Sequence, residues 1–151
     1  MGSLSISEVI GAISDDKSLT LFNMVALASG NSETLLSTLK LTRRQYYKRM
    51  SGLVDAGLLI RKNGKYLLTS FGCLVYKAHL IIGKGIEIYW KLKAIDSFQM
   101  LSTEEYTRTL DTLLEGYYEI REILLRNGNN IDAVQTKKTP DRPELFVTGL
   151  T

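Results

Sequence analysis

Between the apolar runs Leu58-Leu-Ile-Arg-Lys62 and Lys65-Tyr-Leu-Leu-Thr69 stands the pair Asn63-Gly64. Asn-Gly supplies the two positive-φ residues that a type I′ turn demands, and that turn has the twist that joins two antiparallel strands. The pair therefore predicts one short hairpin at 58–69. Elsewhere the apolar residues recur three and four apart, the period of helices packed on a core. The expectation is a mainly α fold with a small β-hairpin.

Helix boundaries follow from capping chemistry. Ser5 and Glu8, Thr42 and Gln45, and Ser102 and Glu105 are capping boxes, each with a hydroxyl three residues before a carboxyl or amide. They open helices at 5–14, 42–56 and 102–127. Asp15-Asp16-Lys17 reads as a break, followed by an apolar helix over 18–29 that stops at Gly30. Residues 32–40 make a short third helix with Leu35, Leu36 and Leu39 inward, and Gly57 ends the fourth. From Ser70 a long helix runs to Phe98, about 42 Å if unbroken, with Gly83 and Gly85 as places to bend. Phe71, Val75, Ala78, Ile82, Gly85, Tyr89 and Leu92 form a heptad seam, with Leu74, Ile81, Ile88 and Ile95 beside it. Tyr106, Leu110, Leu113, Tyr117, Ile120 and Leu124 continue the pattern in the last helix. Residues 128–151 hold both prolines and little periodicity and read as a flexible tail in which Leu145-Phe146-Val147 is the one apolar run.

Several function classes fall away on composition. One cysteine, Cys73, and one histidine, His79, leave no disulfide, no zinc ligand set and no catalytic triad. Cys73 reads as a buried inert thiol and His79 as a satisfied core or interface histidine. No carboxylate pair has a partner that would give it an acid–base role, so no enzyme, cofactor or metal is expected. The apolar stretch 74–95 is interrupted by Lys77, Lys84, Glu87, Lys91 and Lys93 and is no membrane span. With no signal-peptide pattern, a cytoplasmic protein is expected.

Charge points to a partner. The net charge is only +3, yet residues 40–65 hold Lys40, Arg43, Arg44, Lys48, Arg49, Arg61, Lys62 and Lys65 against Asp55 alone. Such focusing is the footprint of a polyanion contact. At about 100° per residue, Tyr46, Met50 and Leu53 share one face of the 42–56 helix. Arg44, Lys48 and Ser51 lie opposite, Gln45 and Tyr47 on the shoulders, Arg43 and Arg49 near the boundary. Three helices, a hairpin and a further helix is the order of a winged helix-turn-helix, whose second motif helix enters the DNA major groove. In that arrangement Arg44, Tyr47 and Lys48 approach base edges, Gln45 stands beside them, and Thr42, Arg43, Arg49, Arg61, Lys62 and Lys65 hold phosphates.

The run from Leu41 to Phe71 resembles the winged-helix domains of the arsenic-repressor and multiple-antibiotic-resistance-repressor superfamily. Leu53, Ala56, Gly57 and Leu58 match the end of its recognition helix; Leu68, Thr69 and Gly72 match the exit from its wing. Over residues 5–126 the chain is similar to small archaeal winged-helix regulators. The resemblance implies a homodimer on a pseudo-palindromic double-stranded DNA site, without the metal-sensing ligands of some members.

The expected organisation is thus a winged-helix DNA-binding domain over 1–69, a helical dimerisation region over 70–127 and a tail over 128–151. Dimerisation falls to Ile82, Tyr89, Leu92, Leu110, Leu113, Tyr117 and Ile120, unless the stripes pack within one chain. The alternative function is a winged-helix protein–protein module that does not bind DNA. No residue pattern names a small-molecule effector, an operator or a direction of regulation.

Overall fold

The computed structural model describes residues 3–28, 32–98 and 101–135. Its elements are α1 (Ile6–Ala12), α2 (Asp16–Ala28), α3 (Ser32–Leu39), α4 (Arg43–Asp55), β1 (Leu59–Lys62), β2 (Lys65–Leu68), α5 (Ser70–Glu87), α6 (Tyr89–Ser97), α7 (Thr103–Leu113) and α8 (Tyr118–Gln135). The chain is mainly helical, with one two-stranded antiparallel sheet among the described residues. Gly30, the Leu35 side chain and the run Leu145-Phe146-Val147 lie outside the described residues, as does everything after Gln135.

All three capping boxes form, at Ser5, Thr42 and Ser102, each with both reciprocal hydrogen bonds. The Asp15-Asp16-Lys17 break is a helix start: the Asp15 carboxylate accepts the Ser18 amide at 3.1 Å and the Ser18 hydroxyl, and α2 begins at Asp16. The hairpin has the predicted register, with Leu59 opposite Leu68 and Lys62 opposite Lys65. Asn63 and Gly64 take φ of 50° and 76°, the left-handed pair of a type I′ turn.

Contacts divide the chain into two units, residues 1–82 and 83–151. The first is therefore wider than the expected 1–69 domain. Its core joins Val9, Leu21, Phe22 and Val25 to Tyr46, Met50 and Leu53, and to Leu58, Leu59 and Tyr66, with Val75 and Tyr76 of α5 packed against it. Fully burying each such large side chain is worth about 1.5–3 kcal/mol. His79 is satisfied as expected, its Nδ1 2.7 Å from the Tyr76 carbonyl, and its ring packs edge-on to Phe22.

A polar knot joins the end of α4 to the start of α5. Gly57, at φ +71°, ends α4 in a Schellman turn, with the Leu58 amide donating to the Leu53 carbonyl and the Gly57 amide to that of Val54. The Thr69 hydroxyl then donates to the Gly57 carbonyl at 2.6 Å and accepts the Gly72 amide at 2.8 Å. Gly72 is buried there, packed so closely that a β-carbon would overlap the Leu58 carbonyl.

Both helices expected beyond the hairpin are broken, each at a place where the sequence predicts no break. The long helix breaks at Ile88 rather than at Gly83 or Gly85: Ile88 has φ −103° and ψ 20°, and its carbonyl takes both the Lys91 and Leu92 amides. The break turns Ile88 inward with Ile95, at 4% and 6% exposure. The last helix breaks at 114–117, where Gly116 takes φ +85°. Leu114, one helical turn after Leu110, is fully buried like it, while Leu113 is only half-buried. The restarted α8 runs past residue 127 to Gln135. Lys84 pairs with Glu119 at 2.8 Å, Tyr117 donates to Glu87 at 3.3 Å, and Arg121 pairs with Asp111 and Glu122. Among the described residues, no helix is long and apolar enough to cross a membrane.

Candidate nucleic-acid interface

The inner side of α4 is settled first. Tyr46, Met50 and Leu53 are each at 0% exposure, as helical phase predicts. With that stripe fixed, Arg43, Arg44, Gln45, Tyr47, Lys48 and Ser51 are all exposed. The Tyr47 ring stands edge-on to Tyr46 with centroids 5.3 Å apart, so a core residue steadies an exposed aromatic. The Thr42 capping box fixes the first turn of α4, beside which Arg43 and Arg44 project near the positive end of the helix dipole.

The hairpin carries the other cations. Leu59 and Tyr66 are buried and anchor one face of it, while Arg61, Lys62 and Lys65 are exposed. Arg61 lies over the Tyr66 ring at 5.7 Å, which holds its stem along the strand. Lys62 and Lys65 are directly opposed across the turn. Like charges in that position repel, and an anion between them would remove the cost.

Arg49 differs from the other cations of the 40–65 window in having a carboxylate partner among the described residues. It is half-buried, and its Nη2 and Nε lie 3.2 and 3.3 Å from Asp15 Oδ1. The hydrogen bonds from Ser18, and then the Arg49 charge, hold the Asp15 carboxyl below the usual carboxylate range. Asp15 has the cap position that its place before α2 suggests, but nothing in the local sequence signals its contact with Arg49, 34 residues away.

The expected dimerisation residues separate into three groups. Ile82 and Tyr89 are 65% and 52% exposed, and Leu92, Leu113 and Tyr117 are half-buried. Leu110 and Ile120, at 0% and 6%, are used up in their own chain's core and present no surface to a partner. Cys73 is exposed rather than buried, one residue after the glycine that α5 turns toward the Leu58 carbonyl. Among the described residues no three His, Cys, Asp or Glu side chains gather as a metal site. A cleft of about 260 Å³ lies apart from the cations, lined by Ser3, Leu4, Glu8, Gly52, Asp55 and Ala56. No family model, curated protein or solved structure matches this chain.

Proposed function

We propose that this chain is a winged helix-turn-helix regulator of transcription that binds double-stranded DNA as a homodimer. In this reading α3 and α4 are the helix-turn-helix, α4 lies in the major groove, and β1–β2 is the wing over flanking phosphates. The observation that carries it is the sorting of α4. One stripe is fully buried, and the opposite side offers Arg44, Tyr47 and Lys48 with no carboxylate partner among the described residues. The facing lysines of the hairpin add a second place where an anion relieves repulsion. Arg44 is suited to a bidentate contact with guanine and Tyr47 to a thymine methyl, while Thr42, Arg43, Lys62 and Lys65 suit phosphates. Ile82 and Tyr89 supply the apolar surface for a second subunit, the role left to them once Leu110 and Ile120 are assigned to the chain's own core.

Selection of duplexes from a random pool, followed by shift assays on the selected site, tests the reading. Arg44→Ala with Lys48→Ala is expected to weaken binding by about 10-fold or more while leaving thermal stability unchanged, since both side chains are exposed. No enrichment of duplex, with capture of a protein partner through the same α4 face, would favour the protein–protein reading instead.

A further inference from the structure

Asp15 is a carboxylate set against the most basic segment of the chain. Beside a polyanion its charge is unfavourable, and an exposed ion pair contributes little to stability. Its placement is nevertheless highly determined. The buried Ser18 gives Asp15 both its amide and its hydroxyl at the N-terminus of α2. The same carboxylate then takes Nε and Nη2 of Arg49 from α4, a side chain only 27% exposed. Two of the three guanidinium nitrogens are thereby committed and the third, Nη1, is left over among the described residues.

We propose that Asp15 is a positioning residue for DNA binding: it grips Arg49 by one edge so that the Nη1 edge meets a single backbone phosphate at the flank of α4. The inference rests on the DNA reading above. An arginine held this way loses little rotamer freedom on binding, and its planar fork is already oriented for a phosphate oxygen. The carboxylate gives up some long-range attraction to fix one contact.

Fluorescence anisotropy with a labelled mixed-sequence duplex of about 20 base pairs, read at several salt concentrations, tests it on the full chain. The proteins are the wild type, Asp15→Asn, Arg49→Ala and the double variant. Asparagine still caps α2, so the helix start survives. Loss of a negative charge alone predicts tighter binding by Asp15→Asn. Positioning predicts binding several-fold weaker and a log–log salt slope shallower by about 0.9. It also predicts no further loss when Asp15→Asn is added to Arg49→Ala. Binding by Asp15→Asn that is unchanged or tighter overturns the inference, as does an additional loss in the double variant. If Asp15→Asn fails to fold by circular dichroism, Arg49→Lys decides: it keeps the charge without the fork, and wild-type affinity from it overturns the inference. A wild type that binds no duplex at low salt removes the DNA reading itself, and the inference with it.

Discussion

Two glycines of α5 should respond to the same substitution with opposite signs. At Gly72 an added β-carbon would stand 2.9 Å from the Leu58 carbonyl carbon and 3.2 Å from Leu68 Cδ2, closer still to the Leu58 oxygen. That oxygen already accepts the Thr69 amide at 3.1 Å and, at 3.2 Å, the weaker arm of the hydroxyl bond that Thr69 shares with the Gly57 carbonyl. To admit a methyl, the carbonyl must move and loosen those bonds. Overpacking costs about 1–3 kcal/mol, and each weakened hydrogen bond up to about 1 kcal/mol. The gain in helix propensity from alanine returns about 1 kcal/mol. Gly72→Ala is thus expected to destabilise by about 2–3 kcal/mol, a large share of the about 5–15 kcal/mol typical of a domain. At Gly83 nothing lies within 4 Å of the added carbon. Gly83→Ala should therefore stabilise by about 0.5–1 kcal/mol. Urea denaturation followed by far-UV circular dichroism reads both. A Gly72→Ala protein as stable as wild type would refute the close packing of α5 on the Leu58 turn, and with it the knot that sets the hairpin beside α4.

Lys65→Glu replaces a repelling cross-strand pair with an attracting one. It should steady the hairpin by a few tenths of a kcal/mol, or about 1 at most, while weakening DNA binding, so melting and anisotropy should move in opposite directions. Ile82→Glu with Tyr89→Glu alters two exposed side chains and should convert a dimer to a folded monomer in sedimentation equilibrium; a wild type already monomeric would remove the dimer. The carboxylates of Glu8, Asp15 and Glu105 are all held below their usual range, chiefly by hydrogen bonds from Ser5, Ser18 and Ser102. Their folded pKa values lie below the unfolded ones, so their stabilisation is present above about pH 4 and is lost as pH falls through the folded values. Glu8→Gln with Glu105→Gln removes two of these titrating groups and should flatten that acid-side loss in a series of urea melts from about pH 6 to about pH 2.

The first unit was largely legible in the sequence because its signals are local and agree with one another. Asn63-Gly64 specifies a turn, Thr42 and Gln45 a helix start, and the phase of Tyr46, Met50 and Leu53 an inside, each within a few residues. The second unit was less legible because a heptad pattern survives a break when the residues after it resume the same spacing. Gly116 lay unremarked within such a pattern, yet it takes a positive φ in the break between α7 and α8, and the buried place one turn after Leu110 belongs to Leu114 instead of Leu113. Ile88 carries no breaker signature at all; its turn is set by packing. In the candidate interface, helical phase gave the exposure of Arg44, Tyr47 and Lys48 but not the capture of Arg49. That contact joins residues 34 apart in sequence, and no periodicity encodes it. Cys73 was misread because burial frequency is a property of the residue type, whereas its exposure follows from Gly72 facing inward.

The central claim is that the α4 and hairpin cations meet phosphates, and the salt dependence of duplex binding tests it most directly. Five of them are assigned to phosphates in each chain: the exposed Arg43, Arg61, Lys62 and Lys65, and the half-buried Arg49. If all five touch phosphate, the log–log slope of affinity against salt should lie at about −4 to −5 per subunit, at about −0.9 per contact. Arg43→Ala with Lys62→Ala should make it shallower by about 2. Affinity that stays flat with rising salt, or a slope unchanged by the double substitution, would contradict the account.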